Sequence, residues 1–556
     1  MKEFYVSKES GTFSDTIECL GLVSILQKVF NKIDLMETPE IVIEDKGGYF
    51  QITCNKDITK DDLKKCEYFD FIPFIANKKD KKDKLDFDSI DYEKEKEVRE
   101  IAYRNKETTR PDYDIIRMFS NMDGYKNSFY NCRAWKNHFS SLLDFILNFY
   151  TNFEKSTEEN IKTISSFIKK NDIKIIKINS LQDINPDKGK GVNQVKANGI
   201  SPKGQSAFWF NQLVRFTGTW DCFISRYFDK DIKTYALTPQ KISSQYLSNI
   251  FEKLKTLVRK TDSIKMDILL LHLTLIELIK HDERFQIEWS FGKPSDKISG
   301  LQFAYFKNLG QRPAVTNIGF LGLPNFVKFN SEAEGNNWID VWQEHNKIIS
   351  NIEEGNSSHI SMLQNYRQFL STSDFNSFFD FQYKYASFLM AAKNSNNNPK
   401  SKYINPFNLY NLEVLMATSE KYSRIIKNTG FIAIARAIRN STVNPIIFKE
   451  KKDVTFGLNQ KIKIASRTKD SLLTEISEFV QKYNETLMLK DYHNKVHKKY
   501  VTTEEYEEFC KLFDEEHSSK LIAGLLVAFG YSKDPSKGNT TEENKNKQIL
   551  EGEDNE

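Results

Sequence analysis

A chain of 556 residues is too long for one small module and has the length of two or three domains. Hydrophobic residues make up 39%, aromatic residues 13% and charged residues 28%, a profile that excludes collagen-like, mucin-like and wholly disordered chains. The 80 Lys and Arg against 76 Asp and Glu leave +4, a total that taken alone argues against a dedicated nucleic-acid binder.

In chain order, Phe13 to Phe30 carries an apolar helical pattern. Glu40 to Glu44 and Tyr49 to Cys54 read as strands joined by the hairpin signal Asp45-Lys46-Gly47-Gly48. Residues 78 to 84 hold five Lys and two Asp and read as a solvated loop. From Asp88 to about Lys170 the pattern is helical, with Phe129, Trp135, Phe139, Leu143, Phe145 and Leu147 as its buried face. Leu181 to Ser206 is rich in Gly and Pro and reads as a loop. Between Lys188 and Arg215 there are five basic residues and no acidic one. Strand-like alternation returns at Gln302 to Phe306 and Ala314 to Phe320, around Asn308-Leu309-Gly310. Beyond about Gly335 helical spacing dominates, as in Phe375, Phe378, Phe379, Ala386 and Leu389, then Leu472, Ile476, Phe479 and Tyr483, and then Leu521 to Phe529.

These patterns predict an α+β chain that is helix-dominated overall. A large mixed N-terminal domain spans 1–335, with a subdivision near residue 180; a C-terminal α-helical bundle spans 336–531. A polar tail over 532–556 is expected to be disordered. The longest apolar stretch, Met266 to Ile279, is too short and too polar to span a bilayer, and the N-terminus has no hydrophobic signal core. Six scattered cysteines (Cys19, Cys54, Cys66, Cys132, Cys222, Cys510) form no CxxC pair. The expectation is a cytoplasmic protein in a reducing compartment, with no membrane association.

Charge is segregated along the chain. Residues 421 to 499 hold 17 basic and 7 acidic residues, whereas 500 to 556 hold 6 basic and 14 acidic, so the small total is a cancellation.

Motifs for chemistry are mostly absent. No Walker loop occurs, and Gly189-Lys190-Gly191 meets Gln194 where a dinucleotide fingerprint needs its third glycine. His493 and His497 have helical spacing, but no Glu follows the first His and Lys495, Lys498 and Lys499 crowd them with positive charge. His272, on an apolar stripe, reads as a hydrogen-bonded core residue. The expectation is no metal, no cofactor and no catalytic residues. Asp112, Asp172 and Lys174 supply the letters of a magnesium nuclease, with Asp172-Ile173-Lys174 opening a strand-like run to Ile178. That nuclease is the enzymatic alternative, and a helical scaffold in an unrelated assembly is the third.

What remains is binding. Lys188, Lys190, Asn193, Gln194, Lys196, Asn198 and Lys203 combine amides able to pair with base edges and cations able to pair with phosphates. In the helical half, Thr429 is placed to cap a helix stopped by Pro445, with Phe431, Ile434, Ala435 and Ile438 as its buried stripe. Arg436 and Arg439 sit beside small Ala433 and Ala437, where a phosphate chain could approach; they could equally bond helix C-terminal carbonyls or the Glu-rich end.

An ordered set of strings carries a resemblance. It runs Ser377-Phe378-Phe379-Asp380-Phe381, Tyr385-Ala386-Ser387-Phe388-Leu389-Met390, Leu412-Glu413-Val414-Leu415-Met416 and Asn428-Thr429-Gly430-Phe431-Ile432 through Asn440-Ser441-Thr442-Val443. It continues with Phe456-Gly457-Leu458-Asn459-Gln460, Ile476 to Asn484 and Ile522 to Tyr531. Over roughly residues 375 to 531 this resembles the C-terminal region of large subunits of type I CRISPR effector complexes, the Cascade surveillance complexes. The resemblance implies a non-catalytic, DNA-binding subunit in antiviral defence. Such a subunit recognises the motif flanking a target in double-stranded DNA, supports R-loop formation and recruits the helicase-nuclease effector. Its implied partners are double-stranded target DNA, the guide RNA complex, the other Cascade subunits and that effector. Some relatives carry CxxC pairs that this sequence lacks, so no metal carries over. In this family the helical part is sometimes also made separately from an internal start, for which Met362 or Met390 would serve.

Overall fold

The computed structural model describes all residues except 34–38, 81–84, 106, 108–109, 152–156, 179–183, 187–208, 229, 258–262, 281–292, 309–312, 395–402, 449–450, 492–497, 515–516 and 535–556. It is a mixed α+β, helix-dominated chain that divides into two units. The first comprises residues 1–266 and 293–323, the second 267–292 and 324–556.

The first unit begins with β1 (Glu3–Ser7), α1 (Phe13–Lys32), β2 (Ile41–Asp45), β3 (Tyr49–Cys54), α2 (Lys60–Lys65), β4 (Phe74–Ala76) and β5 (Ser89–Asp91). Helices α3 (Tyr92–Asn105), α4 (Tyr113–Phe119), α5 (Asp123–Ala134), α6 (Phe139–Thr151), α7 (Thr157–Lys170) and α8 (Trp209–Cys222) follow. Then come β6 (Ile224–Phe228), β7 (Asp231–Pro239), β8 (Lys241–Ser243), α9 (Ser244–Leu257), α10 (Ser263–Lys280), β9 (Ile298–Asn308) and β10 (Pro313–Gly322).

The expected hairpins form. β2 pairs antiparallel with β3, and β9 with β10, within sheets ordered β1-β3-β2-β8 and β10-β9-β7-β6. β6 and β7 have no counterpart in the sequence reading. The reason is burial, since every residue of β7 after Asp231 is buried, which removes the period-two alternation that marks a strand with one wet face. The strand expected at Asp172 to Ile178 is absent: residues 173–178 have no regular structure, and Asn131 holds Ile176 with both side-chain amide atoms (Oδ1 to the N–H at 2.7 Å, Nδ2 to the carbonyl at 2.9 Å).

The core of this unit centres on α1, which Thr12 caps by accepting from the Ser14 N–H and which is buried on nearly every face. It lies so close to α8 that a Cβ on Gly21 would stand 2.0 Å from the Val214 carbonyl oxygen, and one on Gly218 1.9 Å from that of Ile17. Only hydrogen fits at either crossing position.

The second unit takes α10 from Asp267 onward, then α11 (Glu332–Ser350), α12 (Ser357–Thr372), α13 (Phe375–Asn394), α14 (Leu409–Met416), α15 (Glu420–Lys427) and α16 (Thr429–Ser441). A short hairpin of β11 (Ile446–Phe448) and β12 (Lys451–Asp453) precedes α17 (Leu458–Ala465), α18 (Lys469–Asp491), α19 (Thr503–Lys511) and α20 (Ser519–Gly530).

Two boundaries are corrected. The break placed at 335 falls inside α11, whose N-cap is Ser331, and the second unit also takes the apolar part of α10, because Asp267 bonds Arg367 at 2.9 Å and His272 bonds Tyr366. Residues placed at the start of the tail belong to the fold: Ser532 is buried and the backbone of Lys533 bridges Asn408, with N–H to the Phe407 carbonyl at 2.8 Å. Residues 535–556 lie outside the described residues.

His272 is the core histidine its stripe suggested. The Tyr366 hydroxyl lies 2.9 Å from His272 Nε2 and 2.5 Å from His345 Nδ1, with all three side chains buried.

Candidate nucleic-acid interface

The loop residues singled out for base and phosphate contact, Lys188, Lys190, Asn193, Gln194, Lys196, Asn198 and Lys203, lie outside the described residues. Both flanks of that stretch are described, and a polar cluster ties them together. On one flank the Ile184 carbonyl accepts from the Ser14 hydroxyl at 2.8 Å; across to the other, the Asn185 amide donates to Gln212 at 3.0 Å. Glu18 of α1 accepts from Arg215 Nε at 2.7 Å and from Asn211 and Tyr150 at 2.8 Å each. Arg215, counted with the basic loop, is therefore a partner of the Glu18 carboxylate and of Asn185.

The two arginines of α16 also turn inward. Asn428, not Thr429, caps this helix: its Oδ1 accepts from the Phe431 N–H at 2.9 Å, so the asparagine fills the cap one position earlier than expected. Arg439 is buried, pairs with Asp534 and donates to the Phe529 carbonyl at 3.3 Å, and burial lowers its pKa. Arg436 reaches Glu505 at 3.5 Å. Of the two roles open to this pair, the geometry gives them bonds to a helix-end carbonyl and to acidic residues of the C-terminal stretch.

The basic and acidic blocks are thus partly interleaved in space. Lys469 pairs with Asp514 at 3.0 Å, while Lys463 pairs with Asp380 of α13, outside the acidic block, at 2.8 Å. The cations left over form a pattern that sequence reasoning missed. α15 buries Ile425 and Ile426 and presents Lys421, Arg424 and Lys427 to solvent at successive i, i+3 steps. Arg424 pairs with Glu420, but among the described residues Lys421 and Lys427 meet no carboxylate, and the same holds for exposed Arg467, Lys482 and Lys499. The signal was present in the sequence as basic residues at helical spacing opposite an Ile-Ile pair.

The nuclease candidates are not offered together as a metal cage. Asp112 is clasped by Arg110, Nε to Oδ1 at 2.7 Å and Nη2 to Oδ2 at 3.0 Å, and Asp172 sits in a left-handed turn (φ 49°) after α7. Among the described residues no three His, Cys, Asp or Glu side chains gather to hold a metal ion. His493 and His497 lie outside the described residues. Among the described residues, no helix is long and apolar enough to cross a membrane. No protein-family model matches the chain, and no curated protein sequence matches it significantly.

Proposed function

We propose that this chain is a non-catalytic, DNA-binding large subunit of a type I CRISPR-guided complex, engaging target DNA by charge and serving as a platform for other subunits and for the helicase-nuclease. The observation that carries this reading is the ordered set of strings between 377 and 531, whose residues contact one another in the folded unit. The Asn459 amide donates to the Ser387 hydroxyl at 2.7 Å, and the Tyr531 hydroxyl accepts from the Asn459 N–H at 3.1 Å. The Asn440 amide donates to the Tyr483 hydroxyl at 3.1 Å, and Phe431 meets Phe529 edge-on at 5.7 Å. Gly524 lies against Phe379, and Gly530 against Ile438, so closely that neither tolerates a Cβ. The strings form the packing code of a single helical unit, as they would if inherited together. Outside that code, the Lys421 and Lys427 row leaves cations free for phosphates.

The test is duplex binding by the reconstituted complex across a salt series. Lys421→Gln with Lys427→Gln is expected to weaken binding to every sequence and to flatten the slope of log affinity against log salt by about 2, near one unit for each phosphate no longer neutralised. Charge reversal at Lys188, Lys190 and Lys196 is expected to erase preference for the flanking motif. Unchanged binding with both sets of variants would remove the DNA-binding role.

A further inference from the structure

The sheet ordered β10-β9-β7-β6 ends on two different edges. β6 is five residues long and its first three are buried. β10 is ten residues long, from Pro313 to Gly322, and carries no charged side chain. The other sheet keeps its edges short and charged: β8 has three residues and opens on exposed Lys241, and β1 has five and opens on exposed Glu3. Short length and charge are devices that keep an edge from pairing, and β10 has neither. Its single irregularity, a register shift between Val315 and Asn317, lies toward one end and leaves Asn317 to Gly322 regular.

Along an antiparallel ladder, successive residues turn their backbone groups toward one side and then the other. The Leu323 N–H donates to the Ser299 carbonyl at 2.9 Å, and the same register runs through Leu321 with Leu301 and Gly319 with Phe303. Ile318, Phe320 and Gly322 therefore turn their N–H and C=O groups away from β9, and among the described residues nothing bonds them. The Phe320 ring, 51% exposed, stands at this edge over Gly300, where a Cβ would come within 2.7 Å of its Cζ. Gly322, two residues on, has no side chain to fend off another backbone.

We propose that β10 is a docking edge for an extended, uncharged segment of a partner protein, which joins the four-stranded sheet as an added strand with a β-branched or aromatic residue beside Phe320. Backbone complementarity selects this occupant. Only another extended chain offers donors and acceptors at the spacing of a strand, and a charged segment would find no opposite charge on β10. A second copy of this chain is the poorer occupant, because a single strand pairing buries well under the about 1,200 Å² at which stable interfaces begin. The inference goes beyond the function proposed above, since it needs neither nucleic acid nor a guide complex.

The experiment uses the purified full chain and a fluorescein-labelled peptide of alternating threonine and valine, read by anisotropy and by amide hydrogen exchange. Saturable binding is expected, with exchange at Ile318, Phe320 and Gly322 slowed about tenfold or more. The same peptide N-methylated at every residue has no N–H to give to a ladder and is expected not to bind. Phe320→Lys guards the edge with a charge, and Ile318→Pro removes an outward N–H that the fold does not use. Each should weaken peptide binding about tenfold while the chain stays folded, and Phe320→Tyr should retain it. No binding of the unmethylated peptide, equal binding of the methylated one, or protection confined to other strands would overturn the inference. So would a dimer that protects the same amides without peptide, since the occupant would then be a second copy. All of these outcomes leave the salt-slope test of the α15 lysines unaffected, so the two readings fail separately.

Discussion

Arg439 shows how a residue chosen for its charge comes to serve the fold. Its guanidinium is buried, yet its partner Asp534 has a side chain 58% exposed, so water screens the pair and it contributes little beyond the bond to the Phe529 carbonyl. Arg439→Leu should therefore cost only about 1–2 kcal/mol in urea unfolding, and should leave the salt slope of DNA binding unchanged. The buried histidines have a sharper signature. Burial lowers the pKa of His272 from 6.5 to about 3, and lowers that of His345 as well. One Tyr366 hydroxyl can donate to one imidazole and accept from the other only while at least one ring is neutral. The unfolded chain takes up a proton on each ring below about pH 6.5, while the fold refuses it until near pH 3 for His272. Stability is thus whole above 6.5 and falls as the pH drops, by up to about 1.4 kcal/mol per pH unit for each histidine. Urea midpoints between pH 7.5 and 5 should show this slope, and His272→Gln should reduce it by about half.

At the scale of elements, two helix crossings depend on missing side chains. α1 meets α8 at Gly21 and Gly218, and α16 meets α19 at Gly430, where a Cβ would stand 2.0 Å from the Glu505 carbonyl oxygen. The obstructing atoms are backbone and cannot rotate away. Gly218→Ala should accordingly cost about 3 kcal/mol or more, read as a shifted unfolding midpoint. The sequence made much of this level legible where one face is wet. Phe13 to Phe30 announced α1, Asp45-Lys46-Gly47-Gly48 announced its hairpin, and the Phe379 and Phe431 stripes announced α13 and α16. It failed where burial is total or the partner is distant. β7 shows no alternation because both its faces are covered. Asn131, more than 40 residues away, satisfies the backbone at Ile176 and displaces the expected strand. The direction of Arg436 and Arg439 was decided by Glu505 and Asp534, which no local pattern connects to α16.

At the scale of the whole molecule, the +4 total hides two opposed blocks, and the second unit partly neutralises them through Arg436 with Glu505, Arg439 with Asp534 and Lys469 with Asp514. Charge counted along the chain therefore overstates the field available to a polyanion. Among the described residues, what the pairing leaves is local, on α15 and at a few further exposed cations, which is why the salt response is expected to depend on Lys421 and Lys427 rather than on the arginines.

The division of α10 has a consequence for how the molecule is made. A ribosome delivers its apolar half, from Asp267, before the helices that cover it, and Arg367 and Tyr366, which bond Asp267 and His272, emerge about a hundred residues later. The fastenings of Asn408 to Lys533 and of Arg439 to Asp534 wait until most of the chain has been made. A product begun at Met362 would keep Tyr366 without either histidine, and one begun at Met390 would lose most of α13. Translation restarted inside this sequence would yield a polypeptide whose core has lost its earliest-made wall.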